Sequence, residues 1–251
     1  MKLETEYHLL YTNGCSHTNH APQPDFHKWP NHLKNILEIR NVYNNAEGAS
    51  SNFGIFRRTS DFLSKTQIDK SKILAVIQLT YANRYELPRG NGHGWQSYLL
   101  NGEYPEESSV CVDYHESWTR LLADNPIFEL WYYYNQASAI SNVLRAHNVD
   151  HYFVTMDDTA SRFHERGQVM SQVDLSGIPI DFDQNSIKWL FGGNNIESSL
   201  VRIMKTSDIH PGLRNMSGDD HHYSDASNEY IATRMARQIE RFDNIKHFNN
   251  R

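Results

Sequence analysis

Two short stretches carry residue types that could do covalent chemistry together. Tyr11 to His20 (YTNGCSHTNH) follows an apolar run and places Ser16 between Cys15 and His17. A serine on a tight turn at the end of a strand presents its hydroxyl above the sheet, but it needs a base to become a nucleophile. Near the other end, Gly218 to Ser224 (GDDHHYS) offers Asp219 and His222, three positions apart and directly ahead of a helical pattern. An acid and an imidazole at that spacing on a loop can face one pocket. The carboxylate then holds the imidazole tautomer, and the imidazole takes the serine proton.

Each residue has a plainer alternative. Ser16 could be a turn or helix-capping residue, and His222 competes with His210, which follows Asp208 in SDIHPG at a spacing of two with no helix directly after it. His221 reads as a surface or supporting residue. Arg84 and Glu86 could form a substrate-anchoring pair, or an ordinary surface ion pair. His17, His20 and His27 lie close to Cys15, but no Asp-rich or HExxH pattern accompanies them, so no metal and no cofactor are expected. WYYYN, Trp131 to Asn135, reads as a buried helix face, and FGGNN as a turn.

These residues need elements to position them. Tyr7 to Thr12 (YHLLYT) is a short strand-forming run closed by Asn13 and Gly14. Trp29 to Leu37 has helical spacing, with Pro30 tolerated in the first turn. Glu38 to Asn44 alternates like a strand, Gly48 to Ser51 forms a loop, and Asn52 to Leu63 follows as a helix. Lys72 to Thr80 (KILAVIQLT) is the clearest strand, and its continuous apolar run suits a parallel strand covered on both faces. Asn125 to His147 reads as a long helix, Asp150 to Met156 as another strand, and Asp225 to Arg241 as a closing helix. Strands alternating with helices predict an α/β fold, a three-layer α/β/α sandwich with a mostly parallel sheet, doubly wound and flavodoxin-like. Function in such sheets gathers at the carboxyl ends of the strands.

The chain has 251 residues, enough for one sizeable core, so a single domain over 1–251 is expected, with insertions at about 81–124 and 159–205. Lys and Arg number 24 against 30 Asp and Glu, a net charge of −6 without a basic block, which argues against nucleic acid. Two cysteines, Cys15 and Cys111, cannot make a disulfide framework and fit a reducing compartment. The start MKLETEYHLLYT does not read as a signal peptide, and no apolar run approaches the roughly 18 residues of a membrane span. A cytoplasmic protein that does not engage membranes is expected.

The same blocks, in order, resemble the SGNH hydrolases, also called GDSL esterases. That family opens with a strand and Gly-Asp-Ser and closes with Asp-x-x-His before the last helix. Here the counterparts are Gly14-Cys15-Ser16 and Asp219-Asp220-His221-His222. Gly48 matches the glycine of the second block. The stretches NNAEGASSNFGIFRRTSDFL and IQLTYANRYEL are similar to a subgroup common among phage and bacterial sequences, which would make virion association compatible with a phage origin. The third block, normally Gly-x-Asn-Asp, is represented by Thr80-Tyr81-Ala82-Asn83, without the glycine and the aspartate.

The resemblance implies Ser16 as nucleophile, His222 as base and Asp219 as its orienting acid. The backbone N–H groups of Ser16 and Gly48 and the amide of Asn83 would form the oxyanion hole, with Asn52 as the rival amide. Losing one such donor typically costs about 100- to 1,000-fold in rate. The implied activity is hydrolysis of a small acyl ester, acetyl on a carbohydrate being a frequent case in the family, through an acyl-serine, so the implied partner is a small-molecule or glycan ester. Two alternatives share the fold: a non-catalytic carbohydrate-binding or phage-associated protein, favoured by the altered third block, and an acyltransferase using the same serine.

Overall fold

Strand β1 (Leu9–Asn13) is buried along its whole length, as only a strand covered on both faces can be. The computed structural model of the chain describes residues 3, 5–19, 28–81, 84–88, 94–99, 117, 120, 126–155, 188, 190 and 224–249. In these, helix α1 (Trp29–Ile36), strand β2 (Asn41–Asn44), helix α2 (Asn52–Lys65) and strand β3 (Ile73–Leu79) follow β1. Then come β4 (Arg84–Pro88), β5 (Trp95–Leu99), helix α3 (Pro126–Ala146), β6 (Asp150–Thr155) and helix α4 (Asp225–Asn249).

The main sheet has the order β2-β1-β3-β6, and every pairing in it is parallel. The chain steps from β1 to β2 on one side and then crosses back to place β3 on the other. The order therefore reverses at β1, and the crevice beyond the carboxyl ends of β1 and β3 is where an open sheet of this kind holds a ligand.

Side chains alternate between the two faces of the sheet. Leu10, Leu74, Val76, Tyr152 and Val154 pack under α1 and α4, against Trp29, Leu33, Ile231, Met235 and Ile239. Leu9, Tyr11, Ile73, Ala75, Ile77 and Phe153 pack on the opposite face under α2 and α3, against Ile55, Leu63, Tyr133, Ile140 and Leu144. This is the expected three-layer sandwich.

Several boundaries differ from the sequence reading, that of β2 for an identifiable reason. Strand β2 begins at Asn41 rather than Glu38, because Glu38 adopts φ 57° and Ile39 N–H returns to Lys34 O (3.0 Å), a Schellman-type end to α1. Helix α4 runs to Asn249, beyond Arg241. Within the stretch read as an insertion at 81–124, β4 and β5 pair as an antiparallel hairpin, Glu86 opposite Ser97. Tyr133 of the WYYYN stretch is buried and Tyr132 and Tyr134 are half-buried, in line with a helix face turned inward.

Candidate active site at the carboxyl end of the sheet

Ser16 stands three residues beyond the end of β1, half-buried, on a single helical turn in which Thr18 N–H (2.9 Å) and Asn19 N–H (3.0 Å) both donate to Cys15 O. Gly14 is required at the entry to that turn. A Cβ there would meet Thr18 Oγ1 at 2.7 Å and Gln78 Cβ at 2.9 Å, so only glycine lets the chain leave β1 so close to β3. A buried chain of polar groups underpins the turn. Trp29 Nε1–H donates to Thr18 Oγ1 (3.3 Å), the Thr18 hydroxyl donates to Gln78 Oε1, and Gln78 Nε2–H meets Cys15 Sγ at 3.6 Å. Thr18, Trp29, Gln78 and Cys15 are fully buried.

The loop between β2 and α2 lies beside this turn. Asn45 N–H donates to Thr12 O (2.8 Å), Glu47 N–H to Gly14 O (3.3 Å), and Asn44 Nδ2–H to Thr18 O (2.5 Å). Gly48 sits at the exposed tip of the loop. The left-handed conformation is taken by its neighbour Ala49 (φ 58°), and a Cβ on Gly48 would meet nothing within 4 Å. Neither backbone strain nor packing calls for a glycine here.

Ser51, not Asn52, caps α2: its hydroxyl accepts from Gly54 N–H at 3.0 Å. Asn52 is buried and tied to the end of β3, accepting from Thr80 N–H (2.8 Å) and donating to Thr80 O (3.3 Å). Its amide is thus used in joining α2 to β3. Asn83, Asp219 and His222 lie outside the described residues, as do Asp208, His210 and His221. The start of α4 is nonetheless anchored close to the Ser16 turn. Asn228 Oδ1 accepts from Trp29 N–H (3.2 Å), the residue whose indole supports Thr18, and Asn228 Nδ2–H donates to Ser224 O (2.9 Å). His32 Nε2 contacts Asp225 Oδ1 at 3.1 Å.

Arg84 and Glu86 do not pair with each other. The sequence offered them as a substrate-anchoring pair or a surface ion pair, but Glu86 turns inward, its side chain 2% exposed. It accepts from Arg57 Nη2–H (3.2 Å) and Ser97 Oγ–H (3.1 Å), and it sits so close to Gly54 that a Cβ there would collide with the carboxylate. Arg84 instead donates to Thr80 Oγ1 (3.1 Å) and lies over the Tyr81 ring.

The comparisons follow the fold. One solved structure, described as a lipolytic protein of the G-D-S-L family from Desulfitobacterium hafniense DCB-2, aligns with a TM-score of 0.51 and 11% identity, over 92% of this chain and 98% of that one. The fold is that of a G-D-S-L lipolytic protein. TesA (TM-score 0.44, 13% identity) and a member of the same lipolytic family from Veillonella parvula DSM 2008 (0.45, 10%) each align over 90% of this chain and 94% of their own. No protein-family model and no curated protein matches the sequence.

Sequence reasoning missed two buried polar residues that hold this end of the sheet together. Gln78 left a signal, a lone amide inside the apolar run ILAVIQL. Arg58 left none, because an arginine in mid-helix ordinarily faces water. Its side chain is 7% exposed, and burial lowers its pKa, opposed by the Glu47 and Glu86 carboxylates.

Proposed function

We propose that the chain is a serine esterase of the SGNH type. The observation that carries this reading is the placement of Ser16: a half-buried serine on a tight turn at the carboxyl end of the central strand, at the switch point of a sheet shared with a G-D-S-L lipolytic protein. In this reading the loop that carries Gly48, hydrogen-bonded to Thr12 and Gly14, brings a second backbone N–H to the same edge.

In this reading the Ser16 hydroxyl loses its proton to His222 as its oxygen attacks the ester carbonyl. Negative charge collects on the carbonyl oxygen, where the N–H groups of Ser16 and Gly48 and the amide of Asn83 stabilise it. Collapse of the intermediate expels the alcohol, which takes the proton from His222 and leaves an acyl-serine. Water, deprotonated by the same imidazole, attacks that ester and releases the acid. Asp219 holds the imidazole in the tautomer that faces Ser16. The finer assignment, a small acyl ester carried by a carbohydrate, is supported by the family resemblance.

The test is hydrolysis of p-nitrophenyl acetate by the native chain and by Ser16→Ala, with circular dichroism showing that both are folded. Turnover that disappears with Ser16 supports the reading. An inactive native chain, or an equally active variant, would favour a binding protein on this fold.

A further inference from the structure

We infer that Arg58 is a positioning residue that fixes the Gly48 loop against the Ser16 turn, so that the two backbone N–H groups converge on one oxygen. The inference rests on the esterase reading. The guanidinium is buried beneath both segments and spends its donors on them. Its Nε–H donates to Asn45 O (3.0 Å), one Nη–H to the Glu47 carboxylate (2.8 Å), and the other terminal nitrogen to the Ser50 hydroxyl. These three contacts brace the loop on both sides of Gly48. The same terminal nitrogen reaches Asn13 Oδ1 (3.4 Å), and that oxygen also accepts from Gly14 N–H (2.9 Å), the first peptide of the turn that carries Ser16.

Asn13 and Asn45 return the contact to the helix that bears Arg58. Asn13 Nδ2–H donates to Ile55 O (3.0 Å) and Thr59 Oγ1 (3.0 Å), and Asn45 Nδ2–H to Arg58 O (3.3 Å). Turn, loop and α2 are thereby locked as one polar unit. Only a planar fork reaches a carbonyl, a carboxylate, a hydroxyl and an amide oxygen together. A lysine ammonium, with one nitrogen, cannot span them.

The consequence for rate follows from geometry. An oxyanion donor acts only if it sits at hydrogen-bond distance from where the charge develops, and a misplacement of about 1 Å can cost on the order of 100-fold. A residue that sets the spacing of two donors should therefore govern kcat and leave ground-state binding of a small ester almost untouched.

The experiment compares the native chain with Arg58→Lys, Glu47→Gln and the control Lys65→Ala. Lys65 pairs with Asp61 on the exposed side of the same helix. Each is assayed with p-nitrophenyl acetate well below its melting temperature, and amide hydrogen exchange is followed at Gly14 and at Asn45 to Ser50. Arg58→Lys is expected to lower kcat about 10- to 100-fold with KM within about twofold, and to speed exchange in both segments. Glu47→Gln, whose side chain is exposed, is expected to lower kcat at least about threefold at an unchanged melting temperature.

An unchanged kcat in folded Arg58→Lys, a change confined to KM, or faster exchange in the loop alone would overturn the inference. Should Arg58→Lys fail to fold, Glu47→Gln decides: an unchanged kcat sinks the inference. If the native chain shows no Ser16-dependent turnover, the esterase reading falls and the catalytic role of Arg58 falls with it. Exchange at Gly14 then still reports whether the turn and the loop are coupled, so the two failures are distinguishable.

Discussion

Gly14 and Gly48 flank the candidate site and should respond to the same substitution in opposite ways. Gly14 is boxed in by Thr18 and Gln78, so Gly14→Ala should destabilise the fold by about 1 to 3 kcal/mol, the usual cost of forcing a methyl into a filled space. Urea denaturation would show it as a lower midpoint. Gly48 has open space where a Cβ would stand, and its backbone is not left-handed. Gly48→Ala should leave the midpoint within about 0.5 kcal/mol of the native value, as for a neutral surface change. It should still slow ester hydrolysis on the order of tenfold or more, because the methyl crowds the space around a proposed oxyanion donor. A stability loss at Gly48 without a rate loss would return that residue to the role of a simple loop glycine. At this scale the positions of Ser16 and Gly48, each shortly after a strand, were legible in the sequence. Arg58 was not, because its partners Asn13 and Asn45 are remote in sequence and only the parallel pairing of β1 with β2 brings them together.

The elements that read most clearly are those whose burial is uniform. ILAVIQL is buried at every position and reads as a covered strand whichever neighbours it has. The β4–β5 hairpin lies in a stretch rich in turn residues, and what holds it is Glu86 meeting Arg57 and Ser97, which no local pattern reveals. The join between α3 and β6 depends on another buried polar group. His151 is enclosed, with Nδ1–H donating to Val149 O (2.9 Å) and Nε2 accepting from the Ser141 hydroxyl (2.8 Å). Burial lowers the pKa of the imidazole; the Val149 bond and Asp150 oppose this, while Lys188 and Arg145 reinforce it. The unfolded chain therefore takes up this proton at a higher pH than the folded one. Stability is present above the unfolded value of about 6.5 and is lost as pH falls through it towards the depressed folded value. Melting temperatures between pH 7.5 and 5.5 should fall for the native chain and fall less steeply for His151→Gln. Parallel curves would mean that His151 does not contribute to acid lability.

At the scale of the whole molecule, both apolar layers are built on one sheet, so damage to one should reach the other. β1 and β3 send alternate side chains to opposite faces: Leu10 and Val76 to the layer under α1 and α4, Tyr11 and Ile77 to the layer under α2 and α3. The segment before β1 is drawn into the same body. Thr5 N–H and its hydroxyl bond to Asp243 of α4 (3.1 and 2.8 Å), and the Tyr7 hydroxyl bonds to Asp150 of β6 (2.8 Å). A single domain is the organisation this favours, and it can be tested by wounding each layer separately. Ile231 in α4 and Ile140 in α3 are both fully buried, on opposite sides of the sheet. Truncating either to alanine should cost about 2 to 5 kcal/mol. If the sheet couples the layers, each variant should still unfold in one transition, with tryptophan fluorescence and far-ultraviolet circular dichroism coincident along the urea axis. Of the five tryptophans, Trp29 lies in the α1 layer and Trp131 on α3, so fluorescence samples both sides of the sheet, and circular dichroism samples all the helices. A wound in either layer that leaves both signals in one shifted transition would show that the damage crosses the sheet. Separate transitions would instead divide the chain into two units.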